Sequence, residues 1–279
     1  MTRALALVGD PVSTSVSPAM HRAAFEQAGL DWTYEAVTIP RGALPDSWPT
    51  LRDRFHGLNV TVPHKEAVLA LLDRISPSAG RARSVNTVTF EGDLARGEST
   101  DGPGFIAALS SAGVTSVRRA VILGTGGAAR AVVMALRDLG AEVVMAGRNA
   151  TAGPAIASGV GARFIPSDAE PLLRALATAD LLVNATPLGG EAGLSGSPLP
   201  DVPLPGGAAV FDLVYRPRRT PLLERAAAAG CRTIEGIEML IEQGARSFEI
   251  WTGVPAPVEA MRQAARAALG VPAPVAGTR

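Results

Sequence analysis

The stretch from Val121 to Arg130, Val-Ile-Leu-Gly-Thr-Gly-Gly-Ala-Ala-Arg, constrains the fold more than any other part of this chain. An apolar run ends in glycine, and an Ala/Val-rich run with helical spacing, GAARAVVMALRDLG, begins at once. Gly124 tolerates a turn that other residues resist, Gly126 lets another group approach the backbone, and the small Ala129 lets the helix pack close to the strand. With AEVVMAG following as a strand, the segment reads as a βαβ unit. Further on, the strand candidates GARFIP, ADLLVNAT, AAVFDLV and CRTIEG alternate with helical stretches over 168–179 and 220–229. That alternation is what a doubly wound parallel sheet requires. Pro187 to Gly207, rich in Gly, Pro and Ser, reads as a long loop at the carboxyl end of a strand, where open α/β sheets hold ligands. Two helical stretches after Gly236 close the ordered chain, and the tail from Val271 is expected to be loose.

The first hundred residues show a separate α/β alternation. Strand candidates ALALVG, YEAVTI, GLNVTV and SVNTVTF are interleaved with helical PAMHRAAFEQAGL and PHKEAVLALLDR. A chain of 279 residues exceeds the usual single core, so two α/β halves are expected. The formal net charge is zero, which offers no basic field for nucleic acid or an anionic membrane and favours a small-molecule partner. Cys231 is the only cysteine, which excludes an internal disulfide framework and suits a reducing cytoplasm. His21, His56 and His64 have no metal-ligand spacing, so no metal is expected. The N-terminus carries no export signal, and no span crosses a membrane. Monomer and homodimer fit the composition equally.

The glycine turn also implies a ligand. At the N-terminus of the following helix, Gly124, Gly126, Gly127 and Ala128 present backbone N–H groups to a pyrophosphate. An NAD site would place an acid about 20 residues on, at the end of the second strand. This strand ends Met145-Ala146-Gly147-Arg148-Asn149, with no carboxylate. Arg148 can instead pair with a 2′-phosphate, so NADP is the expected cofactor; the plain alternative is a solvated surface arginine.

A second constellation lies in the N-terminal half. Ser15-Val16-Ser17-Pro18 places Ser17 at an N-cap and Pro18 at the first helical position, and two hydroxyls beside free helix-end N–H groups also form a corner for a carboxylate. Asn59-Val60-Thr61-Val62-Pro63-His64-Lys65 reads as a strand running into a helix opened by Pro63. Lys65 then falls in the first turn, where a cation opposes the helix dipole at a cost of about 0.3 to 1 kcal/mol, so function rather than stability accounts for it unless it is a mobile surface side chain. Ser84-Val85-Asn86-Thr87 and Ser99-Thr100-Asp101-Gly102 add an amide and a carboxylate at strand ends, although each alone is ordinary turn chemistry.

Taken in order, these motifs resemble the shikimate dehydrogenase family, with its quinate/shikimate and aminoshikimate relatives. The resemblance rests on SxSP (Ser15, Ser17), NVTVPxK (Asn59 to Lys65), VNT (Val85 to Thr87), TDG (Thr100 to Gly102) and GxGGAxR (Gly124 to Arg130). It continues through NATP (Asn184 to Pro187), D-x-x-Y with TPLL (Asp212, Tyr215, Thr220 to Leu223) and G-x-x-M-L-x-x-Q (Gly236 to Gln243). It implies a substrate domain from 1–101 and 238–279, a Rossmann NADP domain over 102–237, and a cleft separating them. It further implies that Lys65 and Asp101 are catalytic. Ser15, Ser17 and Tyr215 would hold a carboxylate, and Thr61, Asn86 and Gln243 ring hydroxyls, with Asn59 a weaker candidate. Asn184, Thr186 and Gly236 would join the cofactor site. The implied reaction is NADP-dependent interconversion of 3-dehydroshikimate and shikimate in aromatic amino-acid biosynthesis; a quinate or aminoshikimate dehydrogenase and a silent nucleotide-binding regulator are the alternatives. Two departures stand out. Gly147-Arg148-Asn149-Ala150-Thr151-Ala152 lacks the second basic residue usual after Asn-Arg-Thr, and Ser99 replaces a frequent Asn.

Overall fold

A computed structural model describes residues 3–167, 170–191 and 196–270. The tail expected to be loose from Val271, and part of the 187–207 loop, lie outside them. The chain divides into two compact units. One holds the described residues up to Ala79, Val85–Thr100 and those from Leu240 onward; the other holds Gly80–Ser84 and Asp101–Met239.

The first unit follows the expected alternation. It runs β1 (Arg3–Gly9), α1 (Ser17–Gln27), β2 (Trp32–Thr38), α2 (Leu44–Arg54), β3 (Gly57–Val60), a 3-10 turn (Ala67–Leu71), β4 (Arg74–Ile75) and the start of α3 (Pro77–Ala82), then β5 (Thr87–Glu91) and β6 (Leu94–Glu98). Its sheet has the order β2-β1-β3-β5-β6-β4, parallel across β2, β1 and β3 and antiparallel through β5 and β6. Ala6, Val8, Leu58, Val60, Val88 and Trp48 anchor one core here.

The second unit runs α4 (Asp101–Ser111), β7 (Arg119–Leu123), α5 (Gly127–Asp138), β8 (Glu142–Gly147), α6 (Gly153–Gly159), β9 (Arg163–Pro166), α7 (Glu170–Leu176), β10 (Leu181–Asn184), β11 (Ala209–Asp212), α8 (Pro221–Ala228) and β12 (Arg232–Glu235). All six strands are parallel, in the order β12-β11-β10-β7-β8-β9. Counted from β7, that is the Rossmann order, with its switch point between β7 and β10. Strands buried on both faces explain why ADLLVNAT and RRAVILG read as near-continuous apolar runs. α9 (Gly236–Thr252) and α10 (Val258–Ala268) complete the chain.

Three expectations are corrected. PHKEAVLALLDR is not an α-helix: a turn over 62–66 leads into the short 3-10 segment, so Lys65 precedes the helical residues and the dipole argument for it lapses. The N-cap of α1 is Val16, with Ser17 and Pro18 inside the first turn and no side-chain cap. The boundary expected after Asp101 also moves. Residues 80–84 join the second unit because Arg130 Nε donates to the Ala82 carbonyl at 2.7 Å and its Nη2 to the Arg83 carbonyl at 2.9 Å. Asp101 goes with them as the first residue of α4, which packs on α5.

Candidate functional site

In the first unit the expected substrate residues cluster around the carboxyl ends of β1 and β3. Ser15 Oγ accepts a hydrogen bond from Ser17 N and donates to Ser17 Oγ, both at 3.2 Å, so the two hydroxyls share one corner at the start of α1. Thr61 follows β3, with its N–H on the Val8 carbonyl at 2.8 Å and its own carbonyl receiving His64 N at 2.8 Å. The tight turn so formed carries Lys65, half-buried, whose carbonyl accepts Val85 N at 2.9 Å. That bond sets the lysine's backbone beside the segment that supplies Asn86.

Asn86 is buried, and both ends of its amide are engaged. Nδ2 donates to Thr100 Oγ1 at 2.8 Å and to Gln243 Oε1 at 2.9 Å, while Oδ1 accepts Thr100 N at 2.8 Å. Gln243 Nε2 donates to the Leu240 carbonyl at 2.9 Å. Asn59 serves the interior: Tyr34 Oη donates to its Oδ1 at 2.7 Å, and its Nδ2 donates to the Asn86 carbonyl and to Ser247 Oγ, both at 3.0 Å. Sequence reasoning assigned no role to Thr87, Thr100 or Ser247. The first two stand inside VNT and TDG, and Ser247 lies one helical turn beyond Gln243, a spacing that was there to be read.

In the second unit the residues expected at the nucleotide follow the carboxyl ends of the strands, with Gly124 and Asn184 flanking the switch point. Gly124 has φ +110°, and a Cβ there would come within 3.2 Å of the Ala185 backbone and Thr186 Cγ2, so only glycine lets β7 turn against the end of β10. Around Gly126 a Cβ would meet nothing within 4 Å, leaving the N-terminus of α5 at Gly127 and Ala128 open to an anion. Gly124 N donates to the Ala146 carbonyl at 2.8 Å, tying the turn to the end of β8, beyond which Arg148 is exposed. Asn149 Oδ1 accepts Thr151 N at 3.1 Å and Ala152 N at 2.9 Å, folding the residues after Arg148 into a turn. With no carboxylate in that turn, these residues fit a cofactor bearing a 2′-phosphate.

Asn184 is fully buried and acts on its own loop. Its Oδ1 accepts Thr186 N at 3.0 Å and Thr186 Oγ1 at 2.7 Å; its Nδ2 donates to Asp212 Oδ1 at 2.8 Å and to the Leu188 carbonyl at 3.1 Å. Asp212 Oδ2 accepts Thr220 Oγ1 at 2.6 Å and its Oδ1 accepts Val214 N at 3.0 Å. Burial pushes the Asp212 carboxyl above its ordinary range against the pull of these hydrogen bonds. Gly236 is buried, and a Cβ there would lie within 2.6 Å of the Leu213 and Val214 backbone. Half-buried Tyr215 follows directly, and buried Asp101 heads α4, where the helix end favours a negative charge. Among the described residues, no three His, Cys, Asp or Glu side chains group as metal ligands, and no helix is long and apolar enough to cross a membrane.

Two family models match the chain, the shikimate dehydrogenase substrate binding domain over 7–88 and the shikimate 5'-dehydrogenase C-terminal domain over 236–266. A shikimate dehydrogenase (NADP(+)) of Thermus thermophilus is 46% identical over 95% of this chain and 98% of its own length. The chain belongs to the shikimate dehydrogenase family. Another shikimate dehydrogenase (NADP(+)), from Methanopyrus kandleri, is 43% identical over 94% of each chain. Among solved structures, a shikimate 5-dehydrogenase from Thermus thermophilus in complex with NADP(H) and shikimate superposes with a TM-score of 0.89 at 43% identity, over 96% of this chain and 100% of the other. A shikimate dehydrogenase fold of two α/β units, the second of Rossmann type, is therefore established.

Proposed function

We propose that Lys65 and Asp101 are the catalytic pair of an NADP-dependent shikimate dehydrogenase acting in the cytoplasm, which interconverts 3-dehydroshikimate and shikimate in aromatic amino-acid biosynthesis. The observation that carries this reading is the pinned geometry around Lys65, whose backbone is bonded to the segment that delivers Asn86. When bound, reduced NADP would supply a hydride to a ketone carbon, whose oxygen gains negative charge as the hydride arrives. The Lys65 ammonium stabilises that charge and gives up the proton that completes the hydroxyl. Asp101 supplies the balancing carboxylate. Ser15, Ser17 and Tyr215 hold the substrate carboxylate, while Thr61, Asn86 and Gln243 read ring hydroxyls. The cofactor is held at Gly124, Gly126, Gly127 and Ala128 by backbone N–H groups and at Arg148 by its 2′-phosphate. Asn184 shapes the adjoining loop through Thr186, and Gly236 allows close backbone approach.

Initial rates of NADP⁺ reduction with shikimate, set beside quinate and beside NAD⁺, test the reading. Shikimate and NADP⁺ are expected to be preferred. Lys65→Ala is expected to abolish turnover while NADPH still binds. Full activity in that variant overturns the catalytic assignment, and activity with quinate or NAD⁺ alone overturns the substrate or cofactor assignment.

A further inference from the structure

Ser247 sits among Asn59, Thr87, Thr100 and the backbone of Gln243. Its Oγ lies 3.0 Å from Asn59 Nδ2, which donates to it, and 2.8 Å from Thr87 Oγ1. It donates to the Gln243 carbonyl at 3.0 Å, one turn back on α9, and Thr100 Oγ1 lies 3.3 Å away. The residue is fully buried. A hydroxyl has one proton and two lone pairs. Donating to the Gln243 carbonyl uses the proton and accepting from Asn59 uses one lone pair, so a single lone pair is left for the hydroxyls of Thr87 and Thr100. Thr87 and Thr100 in turn flank the Asn86 amide: Thr100 Oγ1 accepts from Nδ2 at 2.8 Å, and Thr87 Oγ1 lies 3.2 Å from Oδ1.

The amides of Asn86 and Gln243 face each other at 2.9 Å. The Thr100 N–H donates to Asn86 Oδ1 and fixes the flip of that amide, and the hydroxyls of Thr87 and Thr100 beside it both lie within hydrogen-bond reach of Ser247. We propose that Ser247 is a positioning residue for substrate recognition: it touches no substrate, but through Thr87, Thr100 and the Gln243 backbone it holds in place the amides of Asn86 and Gln243 that meet ring hydroxyls. This rests on the assignment of Asn86 and Gln243 to the substrate given above. Removing a node of a buried polar network leaves its partners unsatisfied, and the loss falls on what the network holds in place.

The test compares wild type, Ser247→Ala, Asn86→Ala and the double variant in steady-state assays with shikimate and NADP⁺, alongside thermal unfolding. Ser247→Ala is expected to raise the shikimate KM about tenfold, the size of one lost buried hydrogen bond, and to leave the NADP⁺ KM within about twofold. In the Asn86→Ala background the same substitution is expected to change the shikimate KM by less than about twofold, because the group it orients is gone. If Ser247→Ala lowers only the unfolding temperature, or raises the shikimate KM equally in both backgrounds, its role is structural and the inference fails. An unchanged shikimate KM in Asn86→Ala overturns the substrate assignment, and the inference with it. Should the alanine variant not fold, Ser247→Cys, a weaker hydrogen-bonding group of similar size, reads the same KM split.

Discussion

Gly9 and Thr61 share one space: a Cβ on Gly9 would collide with Thr61 Cγ2 and would stand 2.8 Å from Val12 Cγ1 and 2.9 Å from the Val62 carbonyl. The missing side chain at the end of β1 is therefore what seats Thr61 and the turn that carries Lys65. Gly9→Ala is expected to cost about 1 to 3 kcal/mol as overpacking and to raise the shikimate KM more than the NADP⁺ KM. Steady-state kinetics and thermal unfolding read both; an unaltered shikimate KM would detach Gly9 from the site.

Arg148, exposed beyond the end of β8, is the residue proposed to meet a 2′-phosphate. Arg148→Ala is expected to weaken NADP⁺ by about 1.5 to 3 kcal/mol, roughly 10- to 100-fold in KM, and to leave NAD⁺ nearly unchanged, since only one of the two carries the phosphate. Equal losses for both cofactors would show that the arginine acts on something other than that phosphate.

His21 is fully buried on α1, its ring stacked on Tyr34 at 4.4 Å between centroids and 5.5 Å from Trp251. Among the described residues neither ring nitrogen makes a well-formed hydrogen bond. Burial holds the imidazole pKa down to about 3 from 6.5, despite an opposing pull from Asn59. The unfolded chain binds the extra proton first, so stability is intact above pH 6.5 and is lost as pH falls toward about 3. The expected slope is roughly 1.4 kcal/mol per pH unit. His21→Phe, which keeps the stack, is expected to flatten this dependence in thermal unfolding across that window; an identical slope in both proteins would assign the acid sensitivity elsewhere.

The Asp212 carboxylate gathers Asn184, Val214 N and Thr220 at the ends of β10 and β11. Asp212→Ala strips the acceptor from two buried donors and one half-buried one and is expected to cost about 2 to 5 kcal/mol. Because Asn184 in turn holds Thr186, the NADP⁺ KM should rise with it. A stable variant with normal cofactor binding would mean that water or the loop itself replaces the carboxylate.

The Rossmann unit was the readable half. Its strands are apolar runs because both faces are covered, its turns are marked by glycine, and βαβ spacing repeats along the chain. The first unit hides more. LARGE, with two charged residues in five, gives no strand signal, yet β6 pairs with β5 because a neighbour supplies the ladder. α2 carries Pro49 within it, which argues against a helix, and Trp48 and Leu51 bury it regardless. AVLALL has helical spacing but sits between a tight turn and a short strand, leaving room for a 3-10 segment only. At the site, the letters of each motif were visible while their partners were not. Arg130 could be read in GxGGAxR, but two of its carbonyl acceptors lie 47 and 48 residues away. Asn184 stood in NATP, but its bond to Asp212 spans 28 residues.

Arg130 also bears on how this protein can be cut or assembled. The guanidinium is nearly buried and its acceptors include the carbonyls of Ala82 and Arg83, so the nucleotide-binding unit is stitched from two stretches of chain. A fragment from Asp101 to Met239 would keep all six strands and still carry a cation deprived of those acceptors. The ribosome, in contrast, delivers residues 80–84 before any strand of that sheet exists, and their place in the unit is fixed only once Arg130 emerges. The two halves are therefore not interchangeable cassettes: a chimera that swaps one must carry the short segment along with the half it serves.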